Sequence, residues 1–324
     1  MIYIPCESMD AAFCFALEYD LATRAPCGGE TVFLFWRTVP TLMVGRFQNI
    51  YAEIDLAYAR AQGIQVTRRL SGGGAIYTDP GSWQFTFIAP QAHAGVAFAP
   101  FVEPVLRALR GLGVDARFSG RNDLLVGDKK CCGNAQYIKN GRVVHHGSIL
   151  FDADIGQMAR ATTVDAVKIA AKGVASVRDR VINLAPLLPG MTGEGFRDAM
   201  VAAILGDGQR RALTPAERAP LAAIAQQRFR AWAAVYGQSP ACGIVRKARF
   251  PGGTVEAHVQ VDGGRIADIA LHGDFFGAPD MAALRATLQG CPYEAEAVRA
   301  RLAAAGQALA LYGITPEDVA SVIV

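Results

Sequence analysis

Three basic constellations stand where predicted strands meet loops: Gly45-Arg46, Arg68-Arg69, and Lys129-Lys130 after Gly127-Asp128. The second runs into Leu70-Ser71-Gly72-Gly73-Gly74-Ala75-Ile76-Tyr77, so two guanidinium groups and a hydroxyl precede three consecutive glycines. Inside a helix or strand each glycine costs roughly 0.5–1 kcal/mol against alanine. A run of three therefore serves close approach to the backbone, and main-chain N–H groups beside arginines suit an anion. Any one of these cations alone reads as a solvated charge. Three clusters around one Gly-Gly-Gly point to a phosphate. There is no GxxxxGK[ST] segment, and a dinucleotide fingerprint fails because its third glycine would fall on Tyr77.

Two other chemistries are weaker. His145-His146 has no third ligand at metal spacing and reads as a pair of core or pocket histidines. Cys131-Cys132, next to Lys130, could offer a thiolate nucleophile, but two small apolar residues in a strand explain them more simply.

The elements that must position these groups are legible in outline. Ser8 is placed to cap a helix running to Leu21, with apolar residues on most faces. Strands are predicted at 31–36, 41–44, 64–69 and 83–88, so one strand feeds the glycine loop and another leaves it. A helix over 100–112 follows, then strands at 114–118, 124–126, 131–138 and 142–151, the last two joined by the hairpin signal Lys139-Asn140-Gly141. Thr214-Pro215-Ala216-Glu217 is a capping box that opens a predicted helix to Ala234. After the break at 237–240, a hairpin (255–261 with 265–271) and three helices, at 280–289, 293–304 and from Thr315, form a small separate α+β unit.

A chain of 324 residues can bury two cores. A net charge of +3 is too small for a nucleic-acid surface, so local clusters must hold any phosphate. The seven cysteines form no CxxC pair and no zinc spacing, and the first residues, acidic at Glu7 and Asp10, lack a basic leader. No uncharged run approaches bilayer length. The expectation is a cytoplasmic protein, with neither nucleic acid nor membrane as partner.

RRLSGGGAIYTDPG (68–81), SGRNDLLVGDKKCCGNAQY (119–137) and HHGSILF (145–151) resemble the lipoate–protein ligases. Similar too are the segment 170–178, Tyr236-Gly237-Gln238-Ser239-Pro240 and Gly273-Asp274-Phe275-Phe276. The resemblance covers nearly the whole chain in order. It implies an α+β fold: a biotin/lipoate ligase catalytic domain (class II synthetase-like, mixed sheet with flanking helices) over 1–240, and a C-terminal accessory domain over 241–324.

The resemblance also implies ATP-dependent activation of lipoate to lipoyl-AMP, with Mg2+, then transfer to a lysine of a lipoyl acceptor domain. Acceptors of that kind are 2-oxoacid dehydrogenase E2 proteins and glycine-cleavage H-type proteins. A carboxylate must then approach an α-phosphate. Two like charges about 4 Å apart at an effective dielectric near 20 repel by roughly 4 kcal/mol, on the order of a thousandfold in rate. By resemblance the screening cation is Lys130, with Lys129 dispensable. Arg46 and Arg69 would hold phosphates, the backbone of Gly74, Ala75, Ile76 and Tyr77 would lie along the adenylate, and Asn122 and Asp123 would contact nucleotide and magnesium. Ser71, Gly73, Arg69 and His146 would face the lipoyl group, and Lys168–Arg180 would be an adenylate-covering loop.

Two positions depart from the family pattern. Thr78 stands where relatives have histidine and Ser82 where they have asparagine, positions that line or brace the acyl pocket. This leaves lipoate against octanoate open. An octanoyl or lipoyl transferase working without ATP is the nearest alternative, but its cysteine would fall near Arg121-Asn122-Asp123, where this chain has none. A non-catalytic lipoate or nucleotide binder is the alternative from another class.

Overall fold

The computed structural model describes all residues except 25–27, 49, 93–94, 163–176, 237, 239–242, 263–264, 278, 294 and 306–308. An eight-stranded mixed sheet forms the centre, in the spatial order Gln209–Arg210, Ile2–Tyr3, Val32–Trp36, Ser82–Pro90, Arg142–Leu150, Lys129–Lys139, Asp123–Val126 and Ala116–Phe118. A small second sheet places Thr41–Val44 between Gln65–Arg68 and Ile76–Thr78.

Val32–Trp36 is apolar throughout because both faces of the sheet are covered. Phe33 and Phe35 join Phe85 and Phe87 on one face, under the helices Ala99–Gly111 and Gly193–Leu205. Val32, Leu34 and Trp36 face the other way, towards the helix Ala11–Arg24 and Leu221–Ala225. On that second face the central strands turn polar. Thr86 lies opposite His146, and Gln84 opposite Ser148 on one side and Trp36 on the other. A polar patch inside a covered sheet face is where a ligand cavity can open without stripping the core.

The hairpin at Lys139-Asn140-Gly141 forms as expected, with Asn140 and Gly141 both at positive φ (49° and 69°). Two expectations change, and one helix was not expected. The helix after Ser8 begins at Ala11, with Asp10 Oδ1 accepting from the Ala12 N–H at 3.1 Å. The predicted helix to Ala234 is broken into Pro215–Arg218, Leu221–Ala225, a wide turn Gln226–Arg230 and Trp232–Val235. Pro220 has no N–H to continue the ladder, and Ala231 leaves helical geometry at φ −56°, ψ 134°. The helix Gly193–Leu205, capped by Thr192, is absent from the sequence reading because two glycines dilute its first turn.

The C-terminal region pairs Ile244–Phe250, Gly253–Asp262 and Arg265–Gly273 in an antiparallel sheet. Its core takes side chains from the helices Met281–Leu288, Ala295–Ala304 and Pro316–Ile323, and also includes Phe47 from the N-terminal part of the chain. Phe47 stacks on Phe275 with ring centroids 4.8 Å apart. No helix among the described residues is long and apolar enough to cross a membrane.

Candidate active site

Two adjoining cavities open between the polar sheet face, the glycine loop and the C-terminal region. The inner one, about 230 Å³, is apolar at one end, where Phe15, Trp36 and Met43 meet. The outer one, about 560 Å³, runs along the backbone of Gly74–Tyr77. Lys130, Asp123, Arg249 and Asp274 line both, so charge is concentrated where the compartments join.

Lys130 owes its position to an irregularity. Leu124 pairs with Cys132 but Leu125 with Lys130, so Cys131 is an extra residue, a β-bulge that re-aims the strand. Lys130 Nζ reaches Asp123 Oδ1 at 2.8 Å, both side chains about one-third exposed. Gly133 makes room for it: a Cβ there would stand 2.6 Å from Nζ. Cys131 and Cys132 lie fully buried, and burial pushes the Cys131 thiol up to about 12. That opposes a thiolate role for it.

Arg69 is buried and works on the loop itself. It donates to the carbonyls of Met43 (2.9 Å), Gly72 (3.0 Å) and Gly74 (2.6 Å), and to Ser71 Oγ (3.1 Å). Desolvation lowers its pKa to about 10, leaving it charged at neutral pH. Gly73 sits at φ +95°, which a side chain would strain. Arg68 is likewise a brace, donating to the carbonyls of Gly45, Gln48 and Val235 at 2.9, 2.7 and 3.0 Å. Arg46 is exposed, its guanidinium 5.3 Å from the Phe47 ring centroid, and lines neither cavity.

Behind the inner cavity runs a buried polar chain. Ser71 Oγ meets His146 Nε2 at 2.7 Å, and His146 Nδ1 meets Glu18 Oε2 at 3.1 Å. Glu18 accepts from Thr86 at 2.5 Å, and Thr86 accepts from Trp36 Nε1 at 3.1 Å. His145 points the other way, to Asn134 Oδ1 at 3.2 Å, and burial holds its pKa well below the ordinary value. Among the described residues no group of three His, Cys, Asp or Glu side chains forms a metal cluster.

Asn122 donates to the Asn134 carbonyl at 3.2 Å and lines the inner cavity beside Asp123. Tyr77 lines the outer cavity and donates to Gln157. Thr78 and Ser82 line neither. Thr78 Oγ1 lies 2.7 Å from Thr38 Oγ1, and Ser82 donates to Asp79 at 3.1 Å, so both brace the strand that leaves the loop. Of the expected covering loop Lys168–Arg180, residues 168–176 lie outside the described residues, and Val177–Arg180 is one helical turn.

Sequence reasoning missed Phe15, Trp36, Glu18, Arg121, Arg249 and Asp274. The first three look like core residues of a helix and a strand. Arg249 sits in a strand whose alternate positions are charged, and Asp274 beside a glycine turn; neither pattern announces a cleft.

Two family models match in chain order. Residues 10–205 match the lipoyl protein ligase A/B catalytic domain, and residues 239–323 the bacterial lipoate protein ligase C-terminus. The lipoate-protein ligase LplJ of Bacillus subtilis is 36% identical over 301 residues, 91% of each chain. The solved structure of Plasmodium falciparum LipL1 in complex with lipoate superposes with a TM-score of 0.78 at 21% identity, over 93% of each chain. A lipoate-protein ligase A structure bound with ATP superposes with a TM-score of 0.57 at 23% identity, over 70% of this chain and 92% of that one.

Proposed function

The chain belongs to the lipoate–protein ligase family, and from that premise we propose how its own residues carry the reaction. It is an enzyme of the ligase class that uses ATP to activate lipoate as lipoyl-AMP and passes the lipoyl group to an acceptor protein. Lys130, at the junction of the two cavities, is the observation that assigns the groups to these steps.

The inner cavity takes the acyl chain, with the dithiolane ring against Phe15, Trp36 and Met43 and the carboxylate towards Lys130. The outer cavity takes ATP along Gly74, Ala75, Ile76 and Tyr77. Lys130 releases Asp123 and lies between carboxylate and α-phosphate, offsetting an anion–anion repulsion of roughly 4 kcal/mol. The carboxylate oxygen attacks the α-phosphorus, the bond to the β-phosphate bridging oxygen breaks, and pyrophosphate leaves. In the second step the acceptor lysine's amine attacks the acyl carbon, AMP departs, and Lys130 stabilises the oxyanion.

Arg69 is assigned to holding the loop in shape for the acyl-adenylate, through its carbonyl contacts, rather than to gripping phosphate alone. Gly73 and His146 flank the lipoyl carbonyl and chain, Ser71 holds His146 from behind, and Asn122 lines the inner cavity beside Asp123, next to the junction with the nucleotide. Arg46, exposed beside Phe47 and outside both cavities, would meet phosphate only beyond the rim of the cleft. For magnesium the donor set fits in kind, because hard cations at phosphates take one or two carboxylates and Asp123 and Asp274 line the same junction. Bound there, the ion would neutralise phosphate charge. The acceptors are E2 lipoyl domains or H-type proteins, met in the cytoplasm.

The deciding experiment incubates the protein with a recombinant lipoyl domain, ATP, magnesium and either lipoate or octanoate, followed by intact-mass measurement. The expected result is a lipoyl adduct on one lysine that depends on ATP. An adduct formed equally well from an acyl carrier thioester without ATP would assign the transferase reaction instead.

A further inference from the structure

The reaction leaves Cys6 and Cys14 unused, yet their sulfurs lie 3.3 Å apart. Both thiols converge on one acceptor, the Ser8 carbonyl, at 3.9 Å from Cys6 and 3.4 Å from Cys14. Cys14 is buried in the first turn of the helix Ala11–Arg24. Cys6 is partly exposed and opens onto a third cavity of about 300 Å³, which Arg37, Arg197 and Arg210 also line. Arg37 and Arg197 are paired with Glu194 and Asp198, at 2.6 and 2.8 Å, while Arg210 lies over the Tyr3 ring.

We propose that Cys6 and Cys14 are a hydroperoxide-sensitive thiol pair, closing into a disulfide that alters the acyl end of the cleft. The division of labour between the thiols follows from their surroundings. The hydrogen bond from Cys14 holds the Cys6 thiol below its ordinary value, and burial pushes Cys14 well above. Cys6 is thus the more acidic thiol and the one that meets solvent, and Cys14 the protected partner behind it.

The Cys6 sulfur attacks the distal oxygen of the hydroperoxide, the O–O bond breaks, and the alcohol leaves with its proton. Cys6 then carries a sulfenic acid. The Cys14 sulfur displaces its hydroxyl, which departs as water with the Cys14 proton. In sum two thiols and one hydroperoxide give a disulfide, an alcohol and water, the two electrons passing to the broken O–O bond.

A disulfide needs about 2.05 Å between sulfurs, so the pair must close by a little over 1 Å from its separation of 3.3 Å. That movement falls on the end of the helix that carries the cleft. Phe15, the next residue, lines the inner cavity, and Glu18, one turn on, holds His146. In a reducing compartment such a pair is transient and signals oxidant. Its effect on lipoate rests on the assignment of the inner cavity above.

The test treats full-length protein with an equimolar hydroperoxide, alkylates free thiols and maps the peptides by mass. The expected product is a Cys6–Cys14 cross-linked peptide lacking two hydrogens, reversed by dithiothreitol. Lipoate affinity, measured calorimetrically before and after treatment, is expected to change by about tenfold and to return on reduction. Cys6→Ser is expected to bind lipoate normally and to show no response. Recovery of Cys6 as sulfinic acid with Cys14 alkylated would overturn the pair, and so would a cross-link that leaves affinity unchanged. The peptide map needs no lipoate, and the untreated binding measurement tests the cavity assignment, so the two readings fail separately.

Discussion

Lys130 is the side chain proposed to screen the two anions, and its environment is built from neighbours that fit its size and charge. Gly133 leaves the space it occupies, and Asp123 pairs with it at 2.8 Å. Lys130→Ala is expected to lower lipoate-dependent ATP–pyrophosphate exchange by on the order of a thousandfold, with folding retained because the side chain is one-third exposed. Exchange at the unsubstituted rate would remove Lys130 from the mechanism. Arg69 fails differently. Its removal orphans three carbonyls and a hydroxyl, each buried acceptor costing about 1–3 kcal/mol. Arg69→Ala is therefore expected to lower the melting temperature as well as activity, a split that circular dichroism and exchange assays would separate. The doublet Arg68-Arg69 advertised positive charge; that its donors are spent on backbone carbonyls depends on Gly45, Met43 and Val235, far from it in the chain.

At the scale of elements, the central strands combine tight packing with a polar surface. A Cβ on Gly147 would overlap the Phe85 ring and lie 2.6 Å from Asn134 Oδ1. Gly147→Ala is expected to cost about 1–3 kcal/mol and to displace His146 from Ser71, seen as a lower melting temperature together with weaker lipoate binding. The strand Arg265–Gly273 carries a titration. Burial holds the His272 imidazole at about 4, while the unfolded chain titrates near 6.5. Between those values the unfolded state binds a proton that the folded state does not, so stability falls as pH falls, by up to about 3 kcal/mol in total. His145, also pushed down by burial, acts in the same direction. Below the ordinary carboxylate value Glu256, held at about 2 by its hydrogen bond from His258, adds a further loss. Thermal melts from pH 7 to pH 4 are expected to fall steadily, and less steeply in His272→Gln.

Across the whole molecule, the C-terminal region meets the glycine loop directly. The Gly73 N–H donates to the Phe275 carbonyl at 3.1 Å, and the Gly273 N–H to the Phe47 carbonyl at 2.8 Å. Phe276 packs edge-on to Phe98 with centroids 5.2 Å apart and lines the inner cavity. Through Arg249 and Asp274 the same region supplies charge at the cavity junction. Phe275→Ala removes the stack on Phe47 and is expected to cost about 3 kcal/mol or more and to depress adenylate formation more than transfer of preformed lipoyl-AMP. Single-turnover assays on both half-reactions would measure this. Equal losses in the two would place the contact outside the adenylation step.

The linear chain determined the glycine loop, the lysine after it and most of the strands around them, because these are local signals: glycine where backbone must be approached, alternation where a sheet is covered, turn residues at fixed offsets. It also carried enough ordered motifs for the family to be read. Only the tertiary structure decided which cations are free to meet a ligand and which are spent on carbonyls. Folding alone brought Phe15, Trp36, Arg249 and Asp274, distant in sequence, to the same cleft, with Glu18 behind it. The physical reason is that burial and pairing are properties of the assembled neighbourhood. A buried glutamate or a core tryptophan has no sequence signature until the facing strand and helix are in place.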